Sequence, residues 1–153
     1  MTLEFERCGG PLEDMLLSDL QRKVGYVLPH DYEVFLRTHN GGRPSRRLFH
    51  IPGCGAEALV DVLLGVGTPN SVEEWIDEME EDLPPGFIPI GFDPGGNALL
   101  LDLSSTPAAV YYWDSARHFQ QSSDDENTYR VASSFLDFLE GLVDDAGASH
   151  DSS

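Results

Sequence analysis

Positive charge is what this sequence has least of. Nine Lys and Arg residues stand against 27 Asp and Glu, for a net charge of −18, and Lys23 is the single lysine. Proteins that hold nucleic acid through its phosphates need a basic footprint, so the composition argues against that class and against anionic membrane surfaces. Cysteine is nearly as scarce. Cys8 and Cys54 are far apart and form no C-x-x-C pair, which leaves a zinc site or a redox motif without support. They read as two small buried or half-buried residues, and no disulfide is expected in a reducing compartment. Apolar runs fall short of the ~20 residues of a membrane span. The opening "MTLEFERCGG" has neither the basic region nor the apolar region of a signal peptide. The expectation is a cytoplasmic protein.

The 153 residues present suit one domain, long enough to bury roughly 70% of its unfolded surface. Hydrophobic content of 41% is that of a globular chain, not a disordered one. The charge is unevenly spread. Residues 1–47 hold seven basic and seven acidic residues, so residues 48–153 carry the whole −18. Such a field steers a basic partner inward. Solubility alone, or a salt-adapted proteome, accounts for it equally well.

Four helices are expected. In Pro11–Val24, Leu12, Met15, Leu16 and Leu20 recur at helical spacing, with acids early and Arg22-Lys23 late, as the helix dipole favours. In "LPHDYEVFLRTHNGG", Tyr32, Phe35 and Leu36 form one face, and Asn40-Gly41-Gly42 ends the helix. In "NSVEEWIDEMEEDL" (70–83), Val72, Trp75, Ile76 and Met79 form a stripe, capped by Asn70 or Ser71. Its opposite face is acid throughout, and like-charge pairs such as Glu74/Glu78 and Glu78/Asp82 cost about 0.2–0.5 kcal/mol each. The last helix, "SSFLDFLEGLVDD", starts at Ser133 or Ser134 and buries Phe135, Phe138, Leu139 and Leu142.

Strands are expected at Arg47–Ile51, Ala58–Val66, Phe87–Phe92, Ala98–Leu103 and Ala108–Asp114. Phe87–Phe92 and Ala98–Leu103 are too apolar to leave a face in water, so they sit centrally. Pro94-Gly95-Gly96-Asn97 between them is a hairpin turn. A phosphate loop would lead into a helix, whereas "ALLLDL" reads as a strand. The basic cluster Arg43, Arg46, Arg47 reads as a solvated loop, and Gln120–Asn127 as a polar, acidic one. The resulting class is α+β, a mostly antiparallel sheet with helices packed against it in the order α-α-β-β-α-β-β-α. Residues 1–143 form a single domain in this reading, and 144–153 a frayed tail.

No catalytic set stands out. The five histidines form no H-x-x-x-H or H-E-x-x-H pair, and no G-x-S-x-G elbow occurs, so no metal and no cofactor are expected. Asp102 and Asp114, near strand ends, are the nearest approach to an acid/base pair.

Three segments carry a resemblance. "LPHDYEVFLRTHNGG" has the form L-P-x-x-Y-x-x-F-L-x-x-x-N-G-G, "FIPIGFDPGGNALLLDLSS" carries an IPIG-D-GGN pattern ahead of a strand, and "SFLDFLEGL" is the closing helix. In this order the chain resembles the SMI1/KNR4 (SUKH) superfamily from residue 28 to residue 142. The resemblance implies an α+β fold without a catalytic set. It further implies, for bacterial members, immunity proteins that bind and neutralise a toxin domain, often a nuclease. A predominance of arginine over lysine fits a GC-rich bacterial genome and the immunity branch. Fungal members of the superfamily act in cell-wall and signalling assemblies, so an interaction scaffold is the alternative function, and an enzyme acting on a cationic or sugar substrate is a third. Charge nominates the contact set: Glu73, Glu74, Asp77, Glu78 and Glu81 on one helix, with Asp124, Asp125 and Glu126 in the acidic loop. The exposed part of the sheet near Asp102, Tyr112 and Asp114 is the other option.

Overall fold

A computed structural model describes residues 4–6, 9–10, 12–52, 56–114 and 128–144. A short strand β1 (Phe5–Glu6) precedes helices α1 (Asp14–Val24) and α2 (His30–Thr38). Strand β2 (Arg43–Pro44) returns antiparallel to β1. Strands β3 (Leu48–Ile51) and β4 (Ala56–Leu59) form a second two-stranded pair. The main sheet is an antiparallel meander of β5 (Val62–Leu63), β6 (Phe87–Phe92), β7 (Ala98–Asp102), β8 (Val110–Trp113) and β9 (Thr128–Ala132), in that order. Helix α3 (Val72–Glu78) lies between β5 and β6, and α4 (Phe135–Glu140) follows β9.

The class is α+β, as expected, but the order is richer than α-α-β-β-α-β-β-α, which leaves out even the expected Ala108–Asp114 strand, here β8. The two-residue strands β1 and β2 are too short to show a period, and β9 lies where no strand was expected. The expected strand Ala58–Val66 is two strands in different sheets. Val60 donates its N–H to Arg47 O at 2.8 Å, and the next residue, Asp61, donates to Phe92 O at 2.8 Å. The chain changes sheets between these two bonds. Arg43 fixes the crossing, with its guanidinium on the Asp61 carboxylate at 2.6 Å and on the Asp61 carbonyl at 3.1 Å. One member of the expected solvated basic loop is thus a structural clamp.

Apolar spacing decides which face of each helix turns inward. Helix α1 buries Leu17 and Leu20, not the expected Met15, which is 72% exposed. Helix α2 buries Tyr32, Phe35 and Leu36, and α4 buries Phe135 and Phe138, with Phe135 meeting Tyr32 edge to face at 4.9 Å and Phe138 meeting Phe49 at 5.4 Å. Each such side chain stabilises the fold by about 1.5–3 kcal/mol through burial. Strand β7 is buried along its whole length because both faces of the sheet are covered. Leu99 and Leu101 enter the main core, while Ala98 and Leu100 meet Met79 and Trp75 on the other side.

The helices are also tied by charge. Arg37 of α2 holds Asp14 of α1 at 2.7 Å, and Lys23 of α1 holds Asp77 of α3 at 2.7 Å. Asp31 of α2 accepts the N–H of Leu136, in the first turn of α4, at 2.9 Å. Helix α1 is therefore bridged on one side to α2 and on the other to α3.

Candidate partner-binding surface

Helix α3 begins as its sequence dictates. The Ser71 hydroxyl accepts the Glu74 N–H at 3.3 Å, filling one of the bonds that a helix start leaves open. Its end differs from expectation. The helix stops at Glu78, not Leu83, and Met79 is its C-cap. No basic residue lies in its last turn, and Glu80, Glu81 and Asp82 would have stacked negative charge on the negative end of the dipole. The chain turns instead, with Asp82 N–H on Met79 O at 2.8 Å. The expected Glu78/Asp82 pair therefore does not lie on one helix.

The acids of this segment divide into two groups. Glu73 folds back to accept the Gly67 N–H at 2.9 Å, and Asp77 is bridged to Lys23. Glu74, Glu78, Glu80, Glu81 and Asp82 are exposed and have no ion-pair partner among the described residues. Glu81 therefore belongs to the turn rather than to the helix, and the rim of free carboxylates runs over both.

The sheet-side candidates are placed differently from expectation. Tyr112 is 2% exposed and Asp114 0%, so neither side chain is offered to a partner. Their neighbours Tyr111 and Trp113 are half-buried on the opposite side of the sheet, where Tyr111 packs on Phe87 at 5.2 Å. Side chains alternate along a strand, so an error of one residue moves the whole set to the other face. "VYYW" has aromatics at both parities, which is why the sequence did not settle it. Asp102 is also buried, accepting the Ser104 N–H at 3.0 Å and the Ser104 hydroxyl at 2.5 Å. Asp102 and Asp114 do not form a pair. The register Ala98↔Trp113 through Leu101↔Val110 puts them at opposite ends of the β7–β8 hairpin, roughly 17 Å apart at strand rise. Asp124, Asp125 and Glu126 lie outside the described residues.

The Pro94–Asn97 turn is closed by Asp93, which the sequence marks only as an acid that would repel a phosphate. Its carboxylate accepts the Asn97 N–H at 2.7 Å, the Asn97 side-chain amide at 3.2 Å and the Tyr112 hydroxyl. Burial first, and the Asp93 carboxylate second, hold the Tyr112 phenol well above its ordinary pKa. An anion already occupies the donors of this glycine-rich turn, and strand β7 follows it, so it is a hairpin.

A sequence profile of the SMI1/KNR4 family (SUKH-1) matches residues 11–141. The chain belongs to the SMI1/KNR4 family. It is also similar to the "SPbeta prophage-derived uncharacterized protein YokK" of Bacillus subtilis (strain 168), at 25% identity over 147 residues, covering 84% of this chain and 73% of that protein. The SMI1/KNR4 motif residues turn inward here. Tyr32 and Leu36 are fully buried. Asn40, at φ 51°, donates its side-chain amide to Val66 O at 3.1 Å and accepts the Val66 N–H at 2.8 Å. Gly41, at φ 91°, passes so close to Gly65 that a Cβ would lie 2.7 Å from the Gly65 nitrogen. The buried motif residues of this SMI1/KNR4 chain are thus a scaffold, and the acidic rim from Glu74 to Asp82 lies outside the motif. Among the described residues no helix is long and apolar enough to cross a membrane.

Proposed function

We propose that this SMI1/KNR4 protein is a cytoplasmic immunity protein that binds a basic toxin domain and blocks it without catalysis. The supporting observation is the rim of exposed, unpaired carboxylates at Glu74, Glu78, Glu80, Glu81 and Asp82. Such charge accelerates encounter with a cationic surface, while buried anchors set the lifetime of the complex. The partner is a cognate toxin domain, with a basic nuclease the best fit to a net charge of −18. The test starts from the open reading frame next to this gene. Co-expression of this chain should rescue cells from that toxin. In the purified pair, Glu74→Lys, Glu78→Lys and Glu81→Lys together should slow association about ten-fold or more and flatten its salt dependence. Unchanged association and salt slope would move the contact off this rim. Tight binding without rescue would favour an interaction scaffold.

A further inference from the structure

One cavity lies away from the acidic rim. It is an open groove of about 540 Å³ between α2 and α4, walled by Val34, Phe35, Leu136 and Leu139 and closed at one side by Phe5. Val34 and Leu136 are 46% and 49% exposed, large apolar side chains left in water. The groove is held open by structure on both sides. Asp31 ties the first turn of α4 to α2, and His39 packs tilted against Phe5 at 4.3 Å and Phe35 at 5.9 Å, which themselves touch at 5.2 Å. Burial lowers the His39 pKa, so this ring adds no positive charge near neutral pH.

Arg46 lines the same groove. It is half-buried and has no hydrogen-bond or ion-pair partner among the described residues. That is unexpected in a chain with three acids for every base. Arg22, Lys23, Arg37 and Arg43 each face a carboxylate. The groove's own acids do not serve Arg46. Both Asp31 oxygens are taken by backbone N–H groups, of Tyr32 and Leu136, and Glu140 is an exposed residue of the wall that makes no ion pair with it. We propose that the α2–α4 groove docks a linear segment of another protein in which apolar side chains flank a carboxylate, the apolar groups lying on Val34, Phe35, Leu136 and Leu139 and the carboxylate on Arg46. Charge complementarity at Arg46, rather than over the whole groove, which Asp31 and Glu140 also line, selects this occupant. A lysine-bearing segment would meet Arg46, and a second copy of the chain would bring another −18 to the encounter.

The site is independent of the acidic rim, and its test keeps the two apart. The full chain, labelled with 15N, is titrated with acetyl-Leu-Leu-Glu-Phe-amide, with the same peptide carrying Lys in place of Glu, and with decanoate. The Glu peptide should shift the amides of Val34, Thr38, His39, Leu136 and Leu139 saturably. The Lys peptide should bind about five-fold or more weakly, the worth of one partly exposed ion pair. Arg46→Glu should invert that order. Leu136→Asp, at an exposed position, should remove binding while leaving the rest of the spectrum in place. Glu74→Lys, Glu78→Lys and Glu81→Lys together should leave it unchanged. The proposal is overturned if no probe gives saturable shifts, if the Lys peptide binds better to the natural chain, or if decanoate alone occupies the groove. It is equally overturned if light scattering shows a dimer whose interface is this groove.

Discussion

Asp93 and Glu78 are both carboxylates in the acidic part of the chain, and they do opposite work. Asp93 is 9% exposed and accepts from three donors, two on Asn97 and one on Tyr112. Glu78 is exposed and pairs with nothing among the described residues. A buried charge persists only where hydrogen bonds replace its hydration, so Asp93 is fixed by the hairpin it closes. A surface charge needs no such partner and contributes little to stability. Net charge treats the two alike; environment separates them. Of the acids nominated from sequence, Asp102 and Asp114 belong with Asp93, whereas Glu74, Glu78 and Glu81 are free.

Replacing Asp93 with Ala tests the inner half of this comparison most severely. It removes the charged acceptor of three hydrogen bonds, so urea unfolding should show a loss of about 3 kcal/mol or more, at about 1.5–3 kcal/mol for each bond to a charged group. A cost below about 1 kcal/mol would mean that the turn holds without its carboxylate. Tyr112→Phe removes one of those bonds and should cost about 1–3 kcal/mol in the same measurement.

The same substitution has an alkaline readout. The folded-state pKa of Tyr112 is raised, so the phenol's contribution is intact below about pH 10 and is lost as pH rises through the folded value. Melting temperatures followed upward from pH 9 should therefore fall less steeply in Tyr112→Phe than in the natural chain. Some slope should remain, because burial raises the Tyr32 phenol too. His39 supplies the acid side. Its folded pKa is lowered by burial, so stability should decline as pH falls below about 6.5, and His39→Gln should remove that part of the decline. The smallest effect belongs to the outer half. Each of Glu74→Lys, Glu78→Lys and Glu81→Lys should change unfolding free energy by no more than about 0.5 kcal/mol. A larger loss would show that the rim supports the fold.

Much of the scaffold was legible because local chemistry wrote it. Ser71 and Ser134 cap their helices through bonds to Glu74 and Asp137, and Asn40 and Gly41 take the left-handed backbone that ends α2. The apolar run of β7 announced a strand covered on both faces, and it is the middle strand of five. Elements of two residues, and the switch of sheets at Val60–Asp61, were not legible. They have no period of their own and exist through bonds to residues distant in sequence.

The candidate surface was half legible. Acidity along residues 73–82 is a property of composition, which fixes how much charge the chain carries. Which acids are free depended on partners that no local pattern names: Lys23 for Asp77, the Gly67 amide for Glu73, Ser104 for Asp102. The parity of "VYYW" and the unpaired state of Arg46 are of the same kind. Spacing and residue type determine short-range structure because helices, caps and turns close over a few residues. Burial and pairing arise only when distant segments meet, so they were decided by the packed fold.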